Sequence, residues 1–174
     1  MNKIYEDLSS RFTLSDYHQQ RDNLAFVTVE KAQLVSAITY MRDYLKFTHL
    51  VLMTSVDWLE QGKFQLTYLL HNYELHVNFG LKVMLDRDNA VMDTIHHLWG
   101  HARVYQRELH EMFGIDFPGS PGVNEPMILE SWQGPPPMRR DFDTKKYSEE
   151  TFDHRPRQHV EPEDYLRQNL YPED

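Results

Sequence analysis

Residues 73–85 alternate in polarity, and this pattern constrains the fold more than any other part of the sequence. Every odd position from Tyr73 to Leu85 is apolar, and the even positions from Glu74 to Lys82 are polar or glycine. A segment with a period of two residues is a strand that packs one face and exposes the other. Such strands are typical of antiparallel sheets that helices cover on one side.

Shorter patterns predict the other elements of the same domain. Runs of β-branched and aromatic residues, or of alternating polarity, predict three further strands at residues 24–29, 48–56 and 64–70. Apolar residues at helical spacing predict four helices at residues 4–12, 31–45, 91–99 and 105–113. Turns are expected at Gln61–Gly62 and at His71–Asn72, and a helix C-cap at Gly114. We therefore predict an α+β fold with about four strands in a largely antiparallel sheet and helices packed on one face.

The sequence changes character after Phe117. All nine prolines follow this residue, and residues 118–137 contain six of them together with three glycines. Because proline lacks the N–H donor and has a fixed φ, this stretch cannot form a regular element. Long irregular segments are usually functional or ordered by a partner. We predict a core domain at residues 1–117 and an extended C-terminal arm at residues 118–174, with a short helix near residues 161–169.

Apolar side chains in this arm also need a surface to cover them. Trp132 lies close in sequence to Met127, Ile128 and Leu129, and an isolated arm cannot bury such residues. Exposure of a large apolar side chain is unfavourable by roughly 1.5–3 kcal/mol. The arm is therefore expected to dock, either on its own domain or on another protein.

Composition excludes several classes of function. The formal net charge of −9 argues against a nucleic-acid partner, since phosphate binding requires a basic surface. The absence of cysteine excludes disulfides, a nucleophilic thiolate and a cysteine-ligated iron–sulfur cluster in this chain. No window has the ~18–20 apolar residues of a membrane span, and the N-terminus lacks the pattern of a signal peptide. We expect any membrane association to be indirect, through another protein.

No candidate active site or metal site stands out from the residue spacings. His97 and His101 have a spacing that suits metal ligands on one helix, but Gly100 is expected to end the helix between them. His110 and Glu111 begin like a zincin motif, whereas Gly114 occupies the position of its second histidine. We therefore predict no catalytic, cofactor-binding or metal-binding residues in this chain.

Three blocks of sequence, taken together, resemble one protein family. They are Met53–Trp58, a helical stretch with Tyr105, Arg107-Glu108 and residues 112–115, and an arm block made of residues 128–132 and 138–142. In this order and spacing they resemble the C subunit, or 30 kDa-type subunit, of the proton-pumping NADH-quinone oxidoreductases (respiratory complex I). The family includes homologues in photosynthetic NDH complexes and in membrane-bound hydrogenases.

The resemblance implies a non-catalytic subunit in the peripheral arm of an oxidoreductase and translocase complex. Its C-terminal extension would pack against the large quinone-site subunit (a D-like subunit) and near the iron–sulfur subunits. Iron–sulfur clusters and quinone, and possibly FMN and NADH, would be held by those other subunits. The complex would lie at the cytoplasmic, matrix or stromal face of an energy-transducing membrane. The alternative is the equivalent subunit of a membrane-bound [NiFe] hydrogenase or a formate hydrogenlyase-type complex.

The resemblance also implies which residues contact a partner. The expected subunit-interface residues are Tyr105, Arg107, Glu108, Phe113, Gly114, Trp132, Arg139, Arg140 and Asp141. The chain departs from the family pattern at Gln106, where a glutamate is usual, and at residues 120–127 and 135–137. At Gln106 the departure is interpreted as one carboxylate missing from the charged helix.

Overall fold

A computed structural model describes residues 1–152 and Glu163. Within them the chain forms one five-stranded sheet and four α-helices. The elements, in chain order, are α1 (Asn2–Ser9), β1 (Leu14–Arg21), β2 (Leu24–Val29), α2 (Leu34–Asp43), β3 (His49–Trp58), β4 (Lys63–Asn72), β5 (Val77–Asp86), α3 (Ala102–Phe113) and α4 (Thr144–Thr151).

The sheet is mixed and has the strand order β1-β2-β5-β4-β3. Of its four pairs of neighbouring strands, β2–β5 is parallel and the other three are antiparallel. The predicted α+β fold is confirmed, and the sheet contains one more strand than predicted. The additional strand is β1, which is polar and largely exposed at one edge, so it carries no hydrophobic alternation that could reveal it.

One face of the sheet forms the floor of the hydrophobic core. At the centre of this face Leu81 on β5 lies between Tyr68 on β4 and Val27 on β2, and all three side chains are fully buried. Leu34, Ile38 and Met41 of α2 are buried in the same core, as are Leu8 of α1 and Leu109 of α3. Burial of this kind contributes about 25 cal/mol per Å² of apolar surface, and it is the main source of stability.

The β4–β5 hairpin turns later than the sequence suggests. His71 and Asn72 belong to β4, and residues 73–76 form the turn. The Asn72 side chain fixes that turn, because its Oδ1 accepts hydrogen bonds from the backbone N–H groups of Glu74 and Leu75, both at 2.9 Å. The turn prediction at His71–Asn72 is therefore wrong, and so is the extension of the strand back to Tyr73.

The helix predicted at residues 91–99 is also wrong. Val91 forms a parallel bridge with Asp116, and the Met92 N–H donates to the Asp116 carbonyl at 2.9 Å. The backbone groups that a helix would use internally are thus bonded to a distant segment. Met92 and Ile95 are buried, so the apolar spacing reflects packing of an irregular segment on the core.

The chain divides into two compact units, Met1–Phe142 and a second that begins at Asp143. In the second unit the structure gives α4, which Asp143 caps by accepting from the Lys146 N–H at 2.9 Å. The helix predicted near residues 161–169 lies outside the described residues, apart from Glu163.

Candidate subunit interface

Helix α3 is the support on which the candidate interface is built. Its buried face carries Ala102 and Leu109, and the Tyr105 hydroxyl donates to the Val51 carbonyl at 2.9 Å. The helix ends as predicted at Gly114, whose φ of +73° is the left-handed conformation that glycine adopts without strain. Side chains of its C-terminal half contact residues 118–142, which we call the strap.

The first half of the strap is bound by two charged side chains of α3. Arg107 Nε donates to the Glu125 carbonyl at 2.7 Å, and Arg107 Nη2 also donates to the Pro126 carbonyl. The Glu111 carboxylate accepts hydrogen bonds from three consecutive backbone N–H groups of the strap. These donors are Met127 at 2.9 Å, Ile128 at 3.1 Å and Leu129 at 3.0 Å.

These contacts favour the ionised form of Glu111. Burial alone would disfavour the charge, but the N–H groups of Met127, Leu129 and Ile128 outweigh it, and Arg107 adds to their effect. The net result is a pKa of Glu111 below its ordinary value. Charge-assisted hydrogen bonds of this kind are about twice as strong as neutral ones, so Glu111 holds an otherwise irregular stretch in one conformation.

The second half of the strap returns to the C-terminal end of α3. The Met138 N–H donates to the Met112 carbonyl at 3.0 Å, and Arg139 Nε donates to the Phe113 carbonyl at 2.7 Å. Both bonds satisfy carbonyl groups of the last helical turn, which have no partner inside the helix. The Arg139 guanidinium also lies 5.4 Å from the ring centroid of Phe64.

Gly114 permits this close approach. A Cβ atom at that position would lie 2.7 Å from Arg139 Nη2 and 3.2 Å from Pro136 Cγ. The glycine therefore has two functions, since it ends α3 and leaves room for the strap.

The end of the strap is held by a buried ion pair. Arg87 forms a bidentate pair with Asp57, with N–O distances of 3.0 and 3.2 Å, and these side chains are only 11% and 1% exposed. Arg87 Nη2 also lies 2.5 Å from Asp141 Oδ1, and the Arg140 N–H donates to Asp57 Oδ2 at 2.9 Å. On the surface Arg140 Nη1 pairs with Glu60 at 2.7 Å.

The pKa shifts of Arg87 and Asp141 have the directions expected for members of an ion pair. Hydrogen bonds to Asp57 and then to Asp141 raise the pKa of Arg87. The hydrogen bond from Arg87 lowers the pKa of Asp141 below its ordinary value. Both shifts favour the charged forms of Arg87 and Asp141, so the pair is ionic at neutral pH.

The predicted interface residues fall into three groups. Arg107, Phe113, Gly114, Arg139, Arg140 and Asp141 lie along the junction between the strap and the domain. Trp132 lies within the strap, where its Nε1 donates to the Pro135 carbonyl at 3.0 Å. Tyr105 instead contacts β3, and Glu108 is exposed on α3. Their role in contact with a second protein remains a prediction.

Sequence reasoning missed the residues that anchor the strap. Asp57, Arg87 and Glu111 bind the strap through charged side chains, yet none was selected as an interface residue. The available signal was at Asp57, a carboxylate at a core-facing position in β3, following Met53 and Ser55. A buried acid in such a place requires a cationic or N–H partner.

Gln106 connects α3 to the strap through hydrogen bonds of its side chain. Its side chain is fully buried, and Oε1 accepts from the hydroxyls of Thr94 and Ser120, both at 2.7 Å. Ser120 belongs to the strap, so Gln106 joins the strap's beginning to the irregular segment before α3. The position at which the family usually has a glutamate therefore lies on the buried face of α3.

Exposed apolar side chains lie on the strap beside the last turn of α3. Ile128 is 65% exposed, Met138 is 57% exposed, and Met127 is also exposed. Ile128 follows the backbone bonded to Glu111, and Met138 is bonded to Met112, so adjacent helical residues position both. Two apolar side chains are thus presented to solvent on a well-fixed backbone.

The two histidines considered as metal ligands do not share a helix, since both precede α3. His97 lies in a turn before α3, and His101 Nε2 lies 3.1 Å from the Leu50 carbonyl oxygen. Among the described residues no group of three histidine or acidic side chains is arranged to hold a metal ion. In the same part of the chain, no helix has both the length and the apolar character needed to cross a membrane.

The fold and the three sequence blocks together define a small α+β subunit of a complex I-like assembly. Residues 27–148 match the family described as the 30 kDa subunit of respiratory-chain NADH dehydrogenase. The chain belongs to this 30 kDa subunit family.

Curated relatives agree with this assignment. The C subunit of the NADH-quinone oxidoreductase of Citrifermentans bemidjiense is 30% identical over 81% of this chain and 88% of the relative. The C/D subunit of the Pseudomonas fluorescens enzyme is 30% identical over 80% of this chain, which spans only 25% of that longer protein. The C subunit of the F(420)H(2) dehydrogenase of Methanosarcina mazei is 28% identical over 68% of this chain and 74% of the relative.

Solved structures give the same result for the fold. A chain of the membrane-bound sulfane sulfur reductase, an archaeal respiratory membrane complex, superposes with a TM-score of 0.75. It is 26% identical, and the match covers 91% of this chain and 98% of that one. A trypsin-resistant fragment of Nqo5 has the same fold, with a TM-score of 0.58 and 19% identity over 69% of this chain and 96% of the fragment.

Proposed function

We propose that this chain is a non-catalytic assembly subunit, whose strap docks on the large quinone-site subunit of its complex. The observation that carries the proposal is the strap itself, an irregular segment held to the domain in its middle and at its end by charged side chains. Its exposed Ile128 and Met138 are the apolar contacts that a partner would cover.

The way the strap is bound favours a role in recognition. Ordering side chains and loops at an interface opposes association by about 0.5–1.5 kcal/mol for each flexible side chain that is immobilised. Glu111, Arg139 and the Asp57–Arg87 pair order the backbone in the free subunit. Because the backbone is ordered before a partner binds, less of the apolar contact energy is offset by the entropic cost of ordering the strap.

The C/D relative from Pseudomonas fluorescens supports the choice of partner. Its name joins the C type of subunit to the D type in one polypeptide. Fusion of two subunits is favourable when they are neighbours, because the link raises their effective concentration. We therefore place a D-like large subunit against the strap, with the iron–sulfur subunits of the complex nearby.

The redox chemistry is assigned to those other subunits. In this proposal they hold the iron–sulfur clusters and the quinone, and FMN and NADH where these are used. This chain contributes contacts and holds no cofactor. Its association with the membrane is indirect, at the cytoplasmic, matrix or stromal face.

The electron donor is a separate question. The relatives bear names of an NADH-quinone oxidoreductase, an F(420)H(2) dehydrogenase and a sulfane sulfur reductase complex. We propose a complex I-like quinone reductase as the first candidate. The similarity to the C subunit of the F(420)H(2) dehydrogenase favours a donor other than NADH as the second.

Isolation of the complex tests the proposal. The chain should be tagged at its N-terminus, expressed in its own host and recovered from solubilised membranes, and the co-purifying proteins should be identified by mass spectrometry. A D-like large subunit and iron–sulfur subunits are expected in equal amounts with the chain. Recovery of the chain alone, under conditions that preserve quinone reductase activity in the same membranes, would contradict the proposal.

A further inference from the structure

A cleft lies between the exposed side of α3 and the first part of the strap. Its volume is about 310 Å³, and α3 and the strap line it with Arg103, Val104, Arg107, Pro121, Gly122 and Glu125. We call it the arginine cleft. Ligand pockets usually have volumes of about 300–1,000 Å³, so this small cleft suits a side chain of another protein better than a large cofactor.

Arg103 is a cation without a partner in this cleft. It is exposed near the beginning of α3, and no residue in the described part of the chain forms a hydrogen bond, an ion pair or a ring contact with it. Arg107 follows four residues later on the same helix. Like charges at this spacing repel each other, so a bound anion would stabilise both side chains.

Arg107 is held in place on the other side of the cleft. Its Nε and Nη2 atoms donate to the carbonyls of Glu125 and Pro126, whereas its Nη1 atom has no hydrogen-bond partner among the described residues. A guanidinium group is planar and rigid, so two bound nitrogens also fix the direction of the third. The cleft therefore presents an ordered, uncommitted donor.

The acids around the cleft leave part of its positive charge unbalanced. Glu125 lines the cleft, but its Oε2 lies against the strap, 3.2 Å from where a Cβ atom of Gly122 would stand. Within the described residues Glu125 forms no ion pair with either arginine. Two cations and one anion thus line a cleft of a chain whose net charge is −9. One further carboxylate would neutralise them.

The acids of α3 do not supply that carboxylate. Glu108 and Glu111 are not among the residues that line the cleft. The Glu111 carboxylate accepts from the strap N–H groups, and Glu108 is exposed. A carboxylate from outside the chain is therefore needed to balance the cleft.

The cleft also has an apolar side that adjoins the proposed docking surface. Val104 lies between the two arginines in sequence and is 45% exposed. Pro126, which Arg107 binds, precedes the exposed Ile128 by two residues. A partner that covers Ile128 is therefore close enough to place a side chain in the cleft.

We infer that the arginine cleft receives an Asp or Glu side chain of the large subunit, bound between Arg103 and Arg107. The planar guanidinium groups match the geometry of a carboxylate, and such charge-assisted bonds are stronger than neutral ones. An apolar neighbour of that acid would pack on Val104. This inference rests on the proposed function, and it adds the chemistry by which the partner is recognised.

Site-specific photo-crosslinking in the intact complex tests the cleft and the strap separately. A photoreactive amino acid is placed at Val104 in the cleft or at Ile128 on the strap, and Leu75 on the β4–β5 turn is the control position. Mass spectrometry identifies the cross-linked segments. We expect Val104 to cross-link to a segment of the large subunit that contains Asp or Glu, and Ile128 to the same subunit. Leu75 should give no product with it.

Charge variants identify the chemistry of the contact. Arg103→Glu should lower the Val104 cross-link at least about tenfold, because two carboxylates would then face each other. Arg21→Glu makes the same charge change at the exposed end of β1 and should leave the yield unchanged. Changing the acid of the cross-linked segment to arginine should restore the product in Arg103→Glu, or restore assembly where Arg103→Glu prevents it. Thermal denaturation of each subunit variant checks that it is folded.

The outcomes separate this inference from the proposed function. A Val104 product with a second copy of this chain, with its own C-terminal residues, with another subunit, or with a segment that lacks Asp and Glu would overturn the inference. An unchanged yield in Arg103→Glu, or no restoration by the charge exchange, would also overturn it. Cross-linking of Ile128 to the large subunit with none from Val104 would overturn the inference alone. Absence of both products would contradict the proposed function as well.

Discussion

The backbone N–H of Arg140 donates a hydrogen bond to Oδ2 of Asp57 at 2.9 Å, across 83 residues of sequence. This bond joins the end of the strap to the edge strand β3. The same carboxylate pairs with Arg87, so the end of the strap is bound to a buried ion pair. The strap, which is the surface proposed to bind a partner, is thus attached directly to a buried residue of the sheet.

Replacing Asp57 by alanine should destabilise the whole unit. Arg87 would lose its bidentate partner and the Arg140 N–H would lose its acceptor, which leaves a buried cation with Asp141 alone. Breaking a buried pair in this way costs about 3–5 kcal/mol. Urea denaturation of Asp57→Ala should show this loss in the free energy of unfolding. Asp22→Ala, in the exposed β1–β2 turn, is the control and should change it by less than about 0.5 kcal/mol; equal values for the two variants would contradict the assignment.

Glu111→Gln should loosen the first half of the strap and leave α3 intact. The amide can accept through one oxygen only, and its NH₂ group would face the N–H of Ile128. Loss of this acceptor for the Ile128 N–H should cost about 0.5–1.5 kcal/mol, the net value of one hydrogen bond. Hydrogen exchange at the amides of Met127, Ile128 and Leu129 should accelerate, while exchange in α3 stays unchanged. Glu108→Gln, on the exposed face of the same helix, should have neither effect; unaltered exchange in Glu111→Gln would show that this carboxylate does not fix the strap.

A pair of glycine variants separates backbone strain from the close contact. Gly62 and Gly114 have φ values of +62° and +73°, and only Gly114 has strap atoms where a Cβ would stand. Gly62→Ala should therefore cost about 1 kcal/mol of stability from strain alone. Gly114→Ala should cost about 2 kcal/mol or more, because Arg139 or Pro136 must also move. Thermal denaturation of both variants checks the difference, and equal losses would mean that the contact is unimportant.

Acidification should release the strap before the rest of the unit unfolds. Glu111 and Asp141 have lowered pKa values in the folded protein, relative to ordinary values of 4.5 and 3.8. The unfolded chain therefore binds more protons near pH 4, and this part of the stability is complete above about pH 5 and declines as the pH falls. The free energy of unfolding, measured from pH 7 to pH 3, should follow this decline. The double variant Glu111→Gln, Asp141→Asn should show a shallower decline, and an unchanged slope would count against both assignments.

Local patterns in the sequence predicted the parts of the fold that depend on neighbouring residues. Helix α3 and its end at Gly114 follow from apolar spacing and from the conformational freedom of glycine, and both are found. The segment before α3 could not be predicted in this way, since Val91 and Met92 bond to Asp116 rather than to their own neighbours. The polar edge strand β1 lacked the alternation that revealed the other strands.

The residues of the candidate interface also divide into those that a local sequence block predicted and those that depend on contacts distant in sequence. Arg139 and Asp141 were selected because they stand in a recognisable block, and the structure places them at the junction of strap and domain. Asp57 and Arg87 were missed because their partners lie 83 and 54 residues away in sequence. Contacts of such separation depend on the strand order, which no local pattern specifies.

The most direct test of the proposed function is the incorporation of the variant Ile128→Asp into the complex. Ile128 is 65% exposed, so the isolated subunit should keep its stability within about 0.5 kcal/mol. Leu75→Asp is the matched control, since Leu75 is 58% exposed on the β4–β5 turn, away from the strap. The amount of each variant that co-purifies with the large subunit from membranes should be measured beside the wild type. Our account predicts at least about a tenfold loss for Ile128→Asp, as expected for an apolar contact worth about 1.4 kcal/mol or more, and normal recovery for Leu75→Asp. Normal recovery of Ile128→Asp would contradict the claim that the strap is the docking surface.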